Sequence, residues 1–237
     1  MQTLAEVMFE LERLGTEQTR RTFVRHGAPP DQMFGVKIGD MKTILKKIKG
    51  RQELALELYD TGNSDAMYLA GLVANGALMT KKKLESWARG ASWSMISDYT
   101  VPWVASESPF AAELAQKWID AKQSSIVSGG WMTWSAIVAT RPDEQLDLKA
   151  LEKLLKRVVG EIHDCHNSVR SAMNGFVIAL GGYVVPLRQK AREAAQKIGK
   201  VEVDVGDTAC KIPLALEYID KMIARGNAGK KRKTVKC

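Results

Sequence analysis

The chain is poor in several features, and each shortage excludes something. No run in its 237 residues approaches the roughly 18 consecutive apolar residues that a membrane-spanning helix needs, so none is expected. There are only three cysteines, Cys165, Cys210 and Cys237. An odd, sparse set makes no disulfide framework, and a reducing compartment is expected. Acidic residues are outnumbered, 27 Asp and Glu against 35 Lys and Arg, for a net charge of +8. That balance favours an anionic partner such as nucleic acid. It is unevenly spread. Lys230, Lys231, Arg232, Lys233 and Lys236 carry +5 of the +8 within the last nine residues, which leaves +3 for the rest. The first residues contain Glu6, Glu10 and Glu12, which argues against a secretory or transit leader, so a cytoplasmic location is the expectation.

What the chain has in abundance is helical spacing. Leu4, Val7, Met8 and Leu11 recur at i, i+3, i+4 and i+7, as do Leu151, Leu154, Leu155, Val158 and Val159. The same pattern predicts helices over 16–24, 37–48, 52–59, 65–78, 81–88, 110–119, 169–180, 186–198 and 213–223. Asp147 and Asp207 suit N-caps, Pro213 a first helical turn, and Gly50, Gly90 and Gly226 helix stops. One stretch alternates like a strand, Lys200 to Val205. A single strand makes no sheet, so an extended connection is the better reading. The 45% apolar fraction supports a substantial core.

Short amphipathic helices with short connections over more than 200 residues point to an all-α architecture of paired helices. A HEAT-like α-solenoid with a concave face is expected, as one domain over 1–226. A basic, disordered tail is expected over 227–237. A compact irregular bundle is the structural alternative.

Several short segments, in order, resemble the AlkD-like family of DNA alkylation repair proteins. They are Phe34-Gly35-Val36-Lys37, Asp65-Ala66-Met67-Tyr68, Ser92-Trp93 through Asp98 to Val101-Pro102, and Val169-Arg170-Ser171-Ala172-Met173. The resemblance covers about Thr16 to Ile223. It implies a HEAT-like solenoid that wraps duplex DNA in a positive groove. It also implies an N-glycosylase that releases cationic alkylated purines, of the 3-methyladenine and 7-methylguanine type, without flipping the base. The partner so implied is double-stranded DNA, alkylated DNA included, bound by a monomer with no metal, cofactor or membrane.

Asp98 matches the family's catalytic aspartate by its offset from Trp93 and Pro102. An N-alkylated purine is a cationic leaving group, and its departure builds oxocarbenium character on the sugar. A fixed carboxylate there stabilises that charge. Trp93, Trp131, Trp134 and Phe176 are candidates for aromatic contact with DNA. Arg170, Lys81 and Lys82 are candidates for phosphate contact. For the tryptophans the competing reading is core, because aromatic residues at helical spacing usually pack inward.

The chain also departs from the active pattern. Ser94 stands where active members carry an aromatic residue, Trp134 where they carry arginine, and Asn174-Gly175-Phe176 where they carry a further tryptophan. Two alternatives therefore stay open: a noncatalytic DNA-binding scaffold of the same fold, and a protein-interaction solenoid. His163-Asp164-Cys165-His166 has the residue types of a metal site. Four adjacent residues cannot converge on one tetrahedral ion, so a turn is expected, with Asn167 or Ser168 capping the next helix.

Overall fold

A computed structural model of the chain describes residues 2–206 and 208–236. Asp207, expected as an N-cap, and Cys237 lie outside the described residues. Among those described there are thirteen α-helices and no strand. Among the described residues no helix is long and apolar enough to cross a membrane. The fold divides into two compact units. Unit 1 comprises the chain up to Phe110, with short returns at Gly206, Thr208 and Lys236; unit 2 spans Ala111–Val205 and Ala209–Val235.

Unit 1 holds α1 (Leu4–Leu14), α2 (Glu17–Arg25), α3 (Ile38–Ile48), α4 (Gln52–Asp60), α5 (Ser64–Val73), α6 (Lys81–Gly90) and α7 (Val101–Ser106). Its central element is α5, buried on nearly every side, with α1, α3, α4 and α7 packed around it. Two of the sequence segments singled out above prove to be one device. Asp65, in the first turn of α5, is 3% exposed and accepts three backbone N–H bonds, from Phe34 (2.7 Å), Gly35 (3.0 Å) and Val36 (3.0 Å). Burial pushes its carboxyl above the usual range, and the three donors pull the other way. Gly35 must be glycine for two reasons. Its φ is +81°, and a Cβ there would lie 2.6 Å from the Arg20 nitrogen.

Unit 2 holds α8 (Ala111–Ile119), α9 (Ser124–Thr140), α10 (Leu148–Glu161), α11 (Asn167–Tyr183), α12 (Arg188–Ile198) and α13 (Ala215–Ala224). The long helices α9 and α11 form its middle. Glycine lets neighbours approach them: a Cβ on Gly130 would meet the Ile119 nitrogen at 2.8 Å, so α8 lies against bare backbone of α9. Asp147 caps α10 through the Ala150 N–H (3.0 Å), as expected. The 163–166 segment is a turn, but α11 is capped by His166, whose Nδ1 accepts from the Ser168 N–H (3.3 Å), rather than by Asn167 or Ser168. Asn167 is instead engaged with the extended stretch 200–205: its side chain bonds both the N–H and the carbonyl of Asp204. Pro213 precedes α13 by two residues instead of opening it, leaving its carbonyl to the buried Asn174 amide (2.9 Å).

The basic segment expected to be disordered makes specific contacts in unit 2. The Gly229 N–H donates to Gly182 (2.7 Å), and the Arg232 N–H to Ala139 (2.8 Å). Lys231 bonds the Val138 carbonyl (2.9 Å) and pairs with Asp143 (2.7 Å). Carbonyls at the ends of α9 and α11 have no partner within their own helices, and this segment satisfies them.

Candidate functional site

Asp98 sits on a break in helical geometry. After Trp93 the chain enters one π-turn, Ile96–Thr100, and then α7. The Val101 N–H donates to the Ile96 carbonyl, five residues back. The cause is readable in the chain. Pro102 has no N–H, and in a straight α-helix its ring would strike the carbonyl four residues earlier, which is that of Asp98. Widening the turn relieves the clash. A second constraint comes from α5, where Gly71 lies so close that a Cβ would approach the Thr100 methyl to 2.6 Å. The backbone under Asp98 is thus held by a proline on one side and a bare glycine on the other.

The Asp98 side chain is half-buried, and Oδ1 accepts the hydroxyl of the buried Ser97 (2.8 Å). Next to it stands Tyr99, 41% exposed, its ring 6.1 Å from that of Trp103. Composition gave no reason to single out Tyr99. The signal that could have found it is Pro102, since widening the turn rotates the residues before it. Trp103 itself is core, edge-on to Tyr68 at 5.3 Å.

Trp93 is half-buried. It packs on Phe23 (5.2 Å) and donates its indole N–H to the His26 carbonyl (2.9 Å). Trp93→Phe keeps the ring contact and deletes that bond. The expected cost, read by denaturant melts, is about 1 kcal/mol. Lys81, Lys82 and Lys83 open α6. Lys82 is exposed, and Lys83 pairs with Asp60 (3.1 Å). Cations at a helix N-terminus work against the helix dipole.

The other candidates lie in unit 2. Trp131 and Phe176 are both 0% exposed and face each other at 5.3 Å, with Arg157 over the Trp131 ring at 6.0 Å. Trp134 is 8% exposed. All three rings belong to the core, and Trp131 and Phe176, without accessible surface, cannot meet a DNA sugar. Their burial goes with the close approach of α8 to α9 at Gly130, beside the face that carries the tryptophans. Arg170 is half-buried and donates to the carbonyls of Cys165 (2.9 Å) and Glu202 (3.1 Å), so it fastens two loops. His163 meets the Ile198 carbonyl (3.0 Å), and burial pushes the Cys165 thiol up.

Comparison with known proteins places this arrangement. The family model for "DNA alkylation repair enzyme" matches residues 7–200. An uncharacterized protein of Listeria innocua serovar 6a is 35% identical over 232 residues, 96% of this chain and 100% of that one. An uncharacterized protein of Listeria monocytogenes serovar 1/2a is 34% identical over 226 residues, 93% of this chain and 97% of that one. A solved structure superposes with a TM-score of 0.91 at 39% identity, covering 100% of both chains. It represents a new family of proteins related to the HEAT-like repeat DNA glycosylases with affinity for branched DNA structures. The all-α, HEAT-like architecture expected from helical spacing is the one observed.

Proposed function

The chain belongs to the DNA alkylation repair enzyme family, and from that membership we propose that it is a DNA-binding protein that recognises branched DNA and does not excise bases. The observation that carries this reading is the use made of the side chains expected around a reacting sugar. Trp131 and Phe176 are spent on the core, Arg170 on loop carbonyls, and Ser94 offers no ring. The full-length likeness to a protein related to glycosylases, with affinity for branched DNA, supports it. Asp98 then serves as a polar anchor of the π-turn with Ser97.

A second reading has one observation in its favour. Asp98 is an incompletely buried carboxylate on a π-turn, and such turns gather at functional sites. In that reading it stabilises an oxocarbenium as an alkylated purine leaves.

One pair of measurements separates them. Wild type and Asp98→Asn are titrated with a four-way junction and with linear duplex of the same sequence, and both are assayed for bases released from methylated DNA. The expected result is tighter, salt-sensitive binding of the junction, no release above the heat-induced background, and Asp98→Asn affinity within about twofold of wild type. Release that vanishes in Asp98→Asn would install the glycosylase reading instead.

A further inference from the structure

In unit 2 a cleft of about 490 Å³ opens where α13 meets the end of α11 and the turn at 227–230. Its walls carry Lys221, Arg225, Lys230 and Arg232, together with Tyr183 and Tyr218, and its described lining contains no carboxylate. All four cations are exposed, and none forms an ion pair with a described carboxylate. Their neighbours are different. Lys231 is paired with Asp143 (2.7 Å), and Arg192 with Asp220 (2.8 Å). Lys231 and Arg192, beside the cleft, are thus neutralised, while the four cations inside it are left without an ion pair.

The gathering is built, not incidental to a loose end. Tyr218, Lys221, Met222 and Arg225 fall at i, i+3, i+4 and i+7 along and just past α13 and so share one face. That helix is seated by Gly181 and Gly182 of α11, where added Cβ atoms would meet Ile219 and Met222 at 2.5 Å. Lys230 and Arg232 are brought opposite by the backbone bonds of Gly229 and Arg232 to Gly182 and Ala139. Gly229 has φ +84°, and its Cβ would strike Val185 at 2.9 Å, so this turn is specific to glycine. Four like charges held in one cleft repel one another. That cost is recovered when an anion arrives. Lysine and arginine are the donors that phosphate oxygens take, arginine in a two-pronged fashion. The rings of Tyr183 and of Tyr218, 48% exposed, add surfaces on which an unstacked base or a sugar can lie.

We propose that this cleft binds the phosphodiester backbone of a DNA strand, as a contact site separate from the Asp98 segment. The proposal rests on the reading of the chain as a DNA-binding protein. The test uses the full chain and a fluorescent four-way junction over a salt series. Lys221→Gln/Arg225→Gln removes two charges from the cleft. Lys149→Gln/Lys153→Gln removes two exposed, unpaired charges from α10 of the same unit. Lys230→Gln/Arg232→Gln repeats the cleft test from its other wall, should the first pair melt below wild type. Each cleft pair is expected to weaken binding by roughly tenfold or more and to reduce the salt slope by about two; the α10 pair should change affinity by less than about threefold. Inorganic phosphate at equal phosphate concentration should fail to displace the junction. Equal losses from the cleft and α10 pairs, or none from the cleft pairs, overturn the proposal. Displacement by inorganic phosphate overturns it in favour of a free-anion site. Wild type that binds no DNA overturns this proposal and the broader reading together, whereas wild type and cleft variants that bind alike overturn the cleft alone.

Discussion

Asp65→Ala is expected to lower the stability of unit 1 by about 3–5 kcal/mol, read as a shift in denaturant midpoint, because it strands three N–H groups at once. Phe34, Gly35 and Val36 all donate to this one carboxylate, and the donors of Gly35 and Val36 are buried. Water cannot replace it without opening the packing of α5. Asp65→Asn is the milder case. Its remaining oxygen can serve Phe34 and Gly35, which share Oδ2, while its amide N–H2 faces the Val36 donor. About half the loss is expected. The two variants also predict a pH signature. Burial raises the folded-state value of the carboxyl, so the folded chain holds that proton more tightly than the unfolded one. The stability this lends is present at acid pH and is lost as pH rises through the interval above the ordinary carboxylate range. Wild type should therefore lose part of its margin over Asp65→Asn across that interval. A margin that is flat, or that grows with pH, would show that the three donors outweigh burial.

Trp131→Ala is expected to cost unit 2 a similar amount, about 3–5 kcal/mol, since the ring is 0% exposed and packs against Phe176 beneath Arg157. The informative companion is Trp131→Phe. The indole Nε1 is buried with no hydrogen-bond partner among the described residues. Phenylalanine removes that orphan donor while keeping an aromatic ring, so part of the lost packing is offset. Junction binding should be unchanged in Trp131→Phe once folding is accounted for. A selective loss of DNA affinity in a variant that melts like wild type would return Trp131 to the DNA-contact set.

Most helices were legible because their apolar residues recur with a period near 3.6, and each such stripe faces a neighbour. The exceptions are the short α7, which follows the proline-widened turn, and α9, as long as α11, where helical spacing was evident only at Trp131 and Trp134. Gly129, Gly130 and several Ser and Thr residues make it a poor helix by local preference. Tertiary packing overrides that preference. Gly130 admits the backbone of α8, and the hydroxyls of Thr133, Ser135 and Thr140 bond carbonyls one turn back. The same blindness explains Trp131 and Phe176. A sequence shows that two rings lie on helices, but which face is enclosed depends on a neighbour's approach. Asp98 was found by its spacing from Trp93 and Pro102, while the π-turn that presents it follows from proline chemistry four residues downstream. The cleft on α13 is invisible in the sequence because its cations are divided between a helix and a segment whose composition suggests disorder.

That segment has a consequence for how the protein is made. Lys231 reaches a carbonyl 93 residues earlier, at Val138. A nascent chain emerging from the ribosome carries α9 and α11 long before their last carbonyls find partners. Unit 2 therefore completes only once residues 229–232 have emerged, and until then its helix ends depend on water or on a chaperone for cover.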